Sequence, residues 1–135
     1  MEIHGLDTAR AKCLLAKISF AKHDERFAMA LLDENWERFQ VTYIKAGTDD
    51  VDCLLDQIEL LKDNGKLAEA RVRLQTLSSY RYSLYGQASK RHRLKTIIRA
   101  RDLSKSLGLA APAENFQQLF KAEKARKLSS DNEIE

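Results

Sequence analysis

Two stretches of the chain decide the fold, His23-Asp24-Glu25-Arg26-Phe27-Ala28 and Gly65-Lys66-Leu67-Ala68-Glu69-Ala70. Each follows an amphipathic run, opens with a small or turn-forming pair and leads into a leucine-rich run. A tight turn followed by a small residue lets two antiparallel helices pack closely, and lets such hairpins stack in series. The pattern therefore predicts an all-α domain of antiparallel helical hairpins.

Start and stop signals divide the chain into about six helices, each with apolar residues at three- and four-residue spacing. Asp24 is expected to cap the second helix, and Gly47 to end it in the left-handed conformation. Asn64-Gly65 stops the third helix and Gly108 the fifth. Pro112 suits the first turn of the sixth.

The order of large and small residues resembles that of the tetratricopeptide (TPR) family. Leu15-Ala16 are similar to the large-then-small pair on that family's first helix, and His23-Asp24 to its turn. In the second unit Gly65 matches the turn glycine, Ala70 the small packing position and Leu74 the large residue that follows. The resemblance covers about half of the chain and implies a short right-handed superhelix. The two alanines lie 42 residues apart, against a family period of about 34, and no third unit matches by sequence.

Length and composition indicate one globular domain over residues 1–128, followed by an acidic, disordered tail at 129–135. The chain has 135 residues, of which 44% are hydrophobic and 32% charged. No apolar stretch approaches the roughly 20 residues that cross a bilayer, and no signal peptide precedes the first helix, so a cytoplasmic protein with no membrane partner is expected. Cys13 and Cys53 are expected to be buried small hydrophobes in a reducing compartment, with disulfide or metal roles as the alternatives.

Charge is divided between the two halves of the chain. Residues 1–66 carry 9 basic and 13 acidic side chains, a net charge of −4, and residues 67–135 carry 14 and 7, a net charge of +7. Such a field attracts acidic partners. In the densest stretch, Lys90, Arg91 and Lys95 would mark one helix face and Arg93 would lie to its side. This face is a solvated surface, a protein-recognition surface or a nucleic-acid-binding surface.

Aromatic residues suggest both packing and recognition. Trp36 on the second helix is expected to be largely buried against the first or third helix. Tyr80, Tyr82 and Tyr85 alternate with Arg81 and others in a segment that is either helix or loop. They would either seal the seam between hairpins or stack on single-stranded bases.

Catalytic motifs are missing from the sequence. His4, His23 and His92 are scattered, and none has a carboxylate or thiol at a spacing that suggests a proton relay. There is no glycine-rich phosphate loop, and no metalloprotease or serine-hydrolase motif. The acidic run Asp49-Asp50-Asp52 stands at a helix start, where capping and the helix dipole explain it. The chain is therefore expected not to be an enzyme and to need no cofactor or metal.

We expect a protein-interaction module that holds an acidic peptide or helix in a groove formed by the first helix of each hairpin. The candidate contacts are cations for carboxylates and tyrosines as apolar anchors: Lys17, Arg81, Arg91, Lys95, Tyr82 and Tyr85. One alternative is a nucleic-acid-binding domain that uses the basic stretch 90–105. Another is self-association, as a homodimer or within a larger regulator, through uncapped ends of the stack.

Overall fold

The computed structural model describes residues 5–42, 46–79 and 89–126, and every regular element in these ranges is an α-helix. The helices are α1 (Gly5–Ala21), α2 (Glu25–Thr42), α3 (Thr48–Asp63), α4 (Leu67–Ser79), α5 (Lys90–Ser106) and α6 (Ala110–Ala125). The predicted all-α fold of about six helices is confirmed. Within these ranges, no helix combines the length and the apolar character that crossing a membrane requires.

The helices pair into three hairpins, α1 with α2, α3 with α4 and α5 with α6. Because only three residues join the two helices of each hairpin, they run antiparallel. Between hairpins, α3 contacts both α1 and α5, and α4 contacts α6. The helices α1, α3 and α5 therefore lie side by side in one layer, which we call the first-helix layer.

The three hairpin turns share one backbone geometry. His23, Gly65 and Gly108 all have a positive φ, of 64°, 78° and 73°. In each turn the N–H of the following residue donates to a carbonyl five residues back, with N···O distances of 2.8–2.9 Å: Asp24 to Ser19, Lys66 to Leu61 and Leu109 to Ser104. This pattern is the Schellman motif that ends many helices. The third turn follows the second by 43 residues, so the chain contains a third unit that sequence matching missed.

Small residues pack each hairpin at its turn. An alanine follows each left-handed residue by five positions, and Ala28, Ala70 and Ala113 are 0%, 0% and 7% exposed. Leu32 and Leu74, four residues further on, are fully buried. They belong to one core to which all six helices contribute. Each large apolar side chain buried there contributes roughly 1.5–3 kcal/mol, which holds the stack together.

The helix ends confirm four of the predicted signals and correct one. Oδ1 of Asp24 accepts the Phe27 N–H at 3.3 Å and caps α2. Gly65 stops α3, Gly108 stops α5, and Pro112 lies in the first turn of α6. The left-handed cap predicted at Gly47 is wrong, because its φ is −99° and it is the N-cap of α3. Its N–H donates to Oδ2 of Asp50 at 3.0 Å, and this bond places Gly47 at the start of α3.

Candidate binding groove

A groove of about 390 Å³ opens on the first-helix layer between α1 and α3, and α5 contributes one side chain, Arg99, to its lining. This is the layer on which the repeat pattern predicts a binding groove. Occupation of the groove by a partner stays a prediction.

The α1 side of the groove alternates basic and apolar residues. Arg10, Leu14 and Lys17 line it, and their spacing of four and three residues keeps them on one helix face. Leu14 is 61% exposed. Neither Arg10 nor Lys17 forms a hydrogen bond or ion pair with any residue that the structure describes. Lys17 was a sequence candidate; Arg10 was missed, although its seven-residue distance from Lys17 signals a shared face.

The α3 side of the groove is acidic, and a cation from α5 offsets part of its charge. Nε of Arg99 donates to Oε1 of Glu59 at 2.8 Å, and its Nη2 donates to Oδ1 of Asp56. Burial lowers the pKa of Arg99, but the hydrogen bonds to these two carboxylates outweigh burial and leave the pKa raised. Arg99 therefore stays charged. On the α3 side, Asp63 is the acid of the groove lining to which the structure gives no cation.

Two cysteines line the same groove as free thiols. Burial raises the pKa of the Cys13 thiol to about 11, and the nearby Cys53 and Asp56 act in the same direction. Burial also raises the pKa of Cys53. Both side chains are therefore neutral near pH 7, which fits small apolar residues at the base of a groove better than nucleophiles.

Most of the basic stretch 90–105 is engaged within the fold. Arg93 is fully buried, and its Nε lies 3.4 Å from Oε1 of Glu123 on α6, which is also buried. Nη1 of Arg101 donates to Oε1 of Gln117 at 2.8 Å. Nζ of Lys90 donates to two carbonyl groups at the end of α6, at 3.0 and 3.1 Å. Pairing with Glu123 offsets the charge of Arg93, whereas the bonds of Lys90 to neutral carbonyl groups hold its side chain in place and leave its charge uncompensated.

Arg91 and Lys95 remain on the surface of α5. Both are exposed, and neither has a hydrogen-bond or ion-pair partner among residues 5–42, 46–79 and 89–126. They stand eight and four residues before Arg99, so they continue along α5 from the groove. Arg93 lies off this face, as its spacing predicts.

A polar cluster joins α3 to α5 beside the groove. Nε2 of His92 hydrogen-bonds Oδ2 of Asp52 at 2.7 Å, and Oγ1 of Thr96 donates to the other carboxylate oxygen at 2.7 Å. Asp49 lies 3.8 Å from the same imidazole nitrogen. The ligand atoms of Asp49, Asp52 and His92 lie within 4.8 Å of one another, so these residues could share a cation. Their contacts already account for the geometry as a link between hairpins, which sequence reasoning missed because 40 residues separate His92 from Asp52.

Trp36 packs at the edge of the core and contacts an arginine of α4. The indole is half-buried, stacks on Phe39 at 6.0 Å and carries the Arg73 guanidinium 5.8 Å from its centroid. Arg73, on α4, also donates to the Leu32 carbonyl at 3.1 Å and pairs with Asp33. Trp36 is partly buried and packs against the core, with the Arg73 guanidinium of α4 over its ring; its packing against α1 or α3 stays a prediction.

Three sequence candidates, Arg81, Tyr82 and Tyr85, lie outside the described residues, as does the tail at 129–135. Comparison with protein-family models, with curated proteins and with solved structures finds no match to this chain. The geometry of the groove and of the repeated hairpins is therefore the basis on which a function is inferred.

Proposed function

We propose that the chain is a non-enzymatic protein-interaction module, which binds an acidic amphipathic peptide or helix in the groove of the first-helix layer. The observation that carries the proposal is the α1 side of the groove, where exposed Leu14 lies between the unpaired cations of Arg10 and Lys17. Three hairpins joined by the same turn support a TPR-like right-handed stack, a scaffold that presents such grooves. Its spacings of 42 and 43 residues are longer than that family's.

The spacing of the two cations defines the ligand. Arg10 and Lys17 stand seven residues apart, about 10 Å along the helix axis. A partner helix with carboxylates seven residues apart and an apolar residue midway would therefore meet both cations and Leu14 together. Each charge pair alone would contribute at most about 1 kcal/mol, so the apolar anchor must supply much of the affinity.

The remaining candidates extend this surface. Arg91 and Lys95 continue it along α5 and would bind further carboxylates of a longer ligand. Arg81, Tyr82 and Tyr85 stay proposed contacts on their sequence pattern alone. Arg99 pairs with both Asp56 and Glu59 and offsets one of their two negative charges, which lowers the repulsion that an acidic partner would meet on the α3 side.

The test uses a fluorescent peptide of about 16 residues, with a central leucine between glutamates seven residues apart. Fluorescence anisotropy should show that Arg10→Glu with Lys17→Glu weakens binding at least about 10-fold, equivalent to about 1.4 kcal/mol. The matched control is Arg38→Glu with Lys121→Glu, two exposed cations on the second helices. A peptide with lysines in place of the glutamates should bind the Arg10→Glu, Lys17→Glu variant more tightly than it binds the wild type.

Equal binding by the groove variant and the control would refute the groove as the site. A single-stranded oligonucleotide tests the nucleic-acid alternative in the same assay. Tight oligonucleotide binding with a steep salt dependence, lost in Arg91→Glu with Lys95→Glu, would favour that alternative.

A further inference from the structure

A second face of α1 is exposed and apolar. Ala11, Leu15 and Ile18 form a narrow stripe, which we call the leading stripe, at the end of the stack where the first hairpin stands. Leu15 is 47% exposed and Ile18 is 43% exposed. By helical spacing this stripe lies about 100° around α1 from the groove-lining residues, so it is a separate surface.

The repeat register shows that this stripe is a packing face. Counted back from the left-handed turn residue, the equivalent positions are Cys53, Gln57 and Leu60 in α3, and Thr96, Ala100 and Leu103 in α5. Leu60 is half-buried, and the other five are at most 6% exposed. The Thr96 hydroxyl bonds Asp52 of α3, so these positions face the preceding hairpin. The equivalent residues of α3 and α5 are covered by the preceding hairpin. Among the three hairpins described, the leading stripe of α1 has no neighbouring hairpin to cover it.

At the opposite end of the stack, cations lie on the face where a further hairpin would pack. The position occupied by Ala16 in α1 and Ile58 in α3 is Arg101 in α5. Its guanidinium lies over the ring of Phe120 at 5.9 Å, and Nζ of Lys124 lies 5.8 Å from the same ring. A head-to-tail contact would press the leading stripe against these cations, and would build an open filament.

We propose that two copies of this chain pair through their leading stripes, with α1 packed antiparallel to α1 of the partner copy about a two-fold axis near Leu15. In this pairing the leading stripe of each copy covers that of the other, and the two-fold symmetry limits the assembly to two copies. Lys22, at the end of each stripe, would lie about 20 Å from its counterpart, beyond the range of unscreened repulsion. The other exposed large apolar side chains described, on α2, α4 and α6, are scattered over separate elements. The dimer goes beyond peptide binding and leaves the groove accessible.

Sedimentation equilibrium from roughly 5 to 500 µM tests the proposal, because mass action converts monomer to dimer across this range. The wild-type chain should approach twice its monomer mass, and Leu15→Glu with Ile18→Glu should stay monomeric with an unchanged circular dichroism spectrum. Leu119→Glu, at an exposed position on α6, is the matched control and should dimerise as the wild type does.

Cysteine cross-linking gives a second measurement that does not depend on losing the dimer. Under mild oxidation, Leu15→Cys should form a covalent dimer, because a residue near the two-fold axis meets its own copy. Leu119→Cys should not. A wild-type monomer at the highest concentration would overturn the proposal, as would equal dimerisation of the stripe variant or equal cross-linking of the two cysteine variants.

Discussion

The three turn residues offer a sharp test of the repeat, because one backbone position is occupied by two different residue types. Gly65 and Gly108 have φ near +75°, and a Cβ built on either would meet nothing within 4 Å. Replacement by alanine would therefore cost backbone strain and no steric clash. His23 occupies the same conformation at φ 64° with a side chain already present.

The magnitudes follow from these geometries. A left-handed alanine costs about 1–2 kcal/mol, and the reduced freedom of the unfolded chain returns about 0.4–1 kcal/mol. Gly65→Ala and Gly108→Ala should each lower the free energy of unfolding by about 0.5–1.5 kcal/mol, or the melting temperature by about 2–5 °C. His23→Gly should raise the free energy of unfolding or leave it unchanged. The relief of backbone strain stabilises the fold, and the added conformational freedom of the unfolded chain opposes this gain.

Urea unfolding followed by circular dichroism measures these changes. Each variant should shift the urea concentration at the midpoint of unfolding, while the slope of the free energy of unfolding against urea concentration stays constant. Gly47→Ala is the control, since its φ of −99° suits any residue and its surroundings are open; it should leave stability unchanged or raise it by up to about 1 kcal/mol. A neutral Gly65→Ala or Gly108→Ala, or a control variant that loses as much stability as either, would show that the three turns are not equivalent.

Three further predictions concern packing, buried charge and the groove thiol. Ala70→Leu should cost about 1–3 kcal/mol by overpacking the hairpin, whereas Ala30→Leu, at an exposed position of α2, should cost little; calorimetry compares them. Glu123→Leu should cost about 3–5 kcal/mol, because it removes a carboxylate facing a buried guanidinium, and adding Arg93→Met should recover most of that loss in a double-mutant cycle. With a pKa raised from 9.0 to about 11, Cys13 should react with a disulfide reagent about 100-fold more slowly at pH 8 than an unperturbed thiol. Its contribution to stability is present below pH 9 and should be lost as the pH rises towards 11.

The local signals in the sequence were enough to find the helices. Capping by Asp24 and the stop at Gly65 depend on neighbouring residues, so they can be read without a structure. Gly47 was assigned to the wrong helix because a glycine between two helices can end one or begin the next. Only the bond from its N–H to Asp50 decides between them.

The third unit was missed for a specific reason. The second unit matches through its turn glycine, Ala70 and the large Leu74 four residues on, and the residue that corresponds to Leu74 in α6 is Gln117. The turn, however, keeps its left-handed glycine and its alanine five residues later. The turn glycine and the alanine alone, without the large residue four positions on, identify Gly108 and Ala113 at the same spacing.

The candidate site was only partly predictable, because its charges depend on long-range contacts. The basic stretch suggested a positive field, but Arg93 and Arg99 are engaged by Glu123 and by the carboxylates of α3. Residue spacing within a helix does not predict ion-pair partners that lie 30 or more residues away in the sequence. Lys17 could be named because its exposure follows from its own helix, whereas the importance of Arg10 emerges only when the groove is seen.

In the first hairpin, α1 therefore presents two separate surfaces to partners. Its Arg10, Leu14 and Lys17 face the groove, and its Leu15 and Ile18 face the open end of the stack. A helix that buried both faces within one chain would need hairpins on two sides, as α3 has. Because the main contacts of α1 among the helices described are with α2 and α3, it keeps two faces for partners. The exposed leucines of α1 are thus consistent with a surface built for association, since nothing in the core requires them.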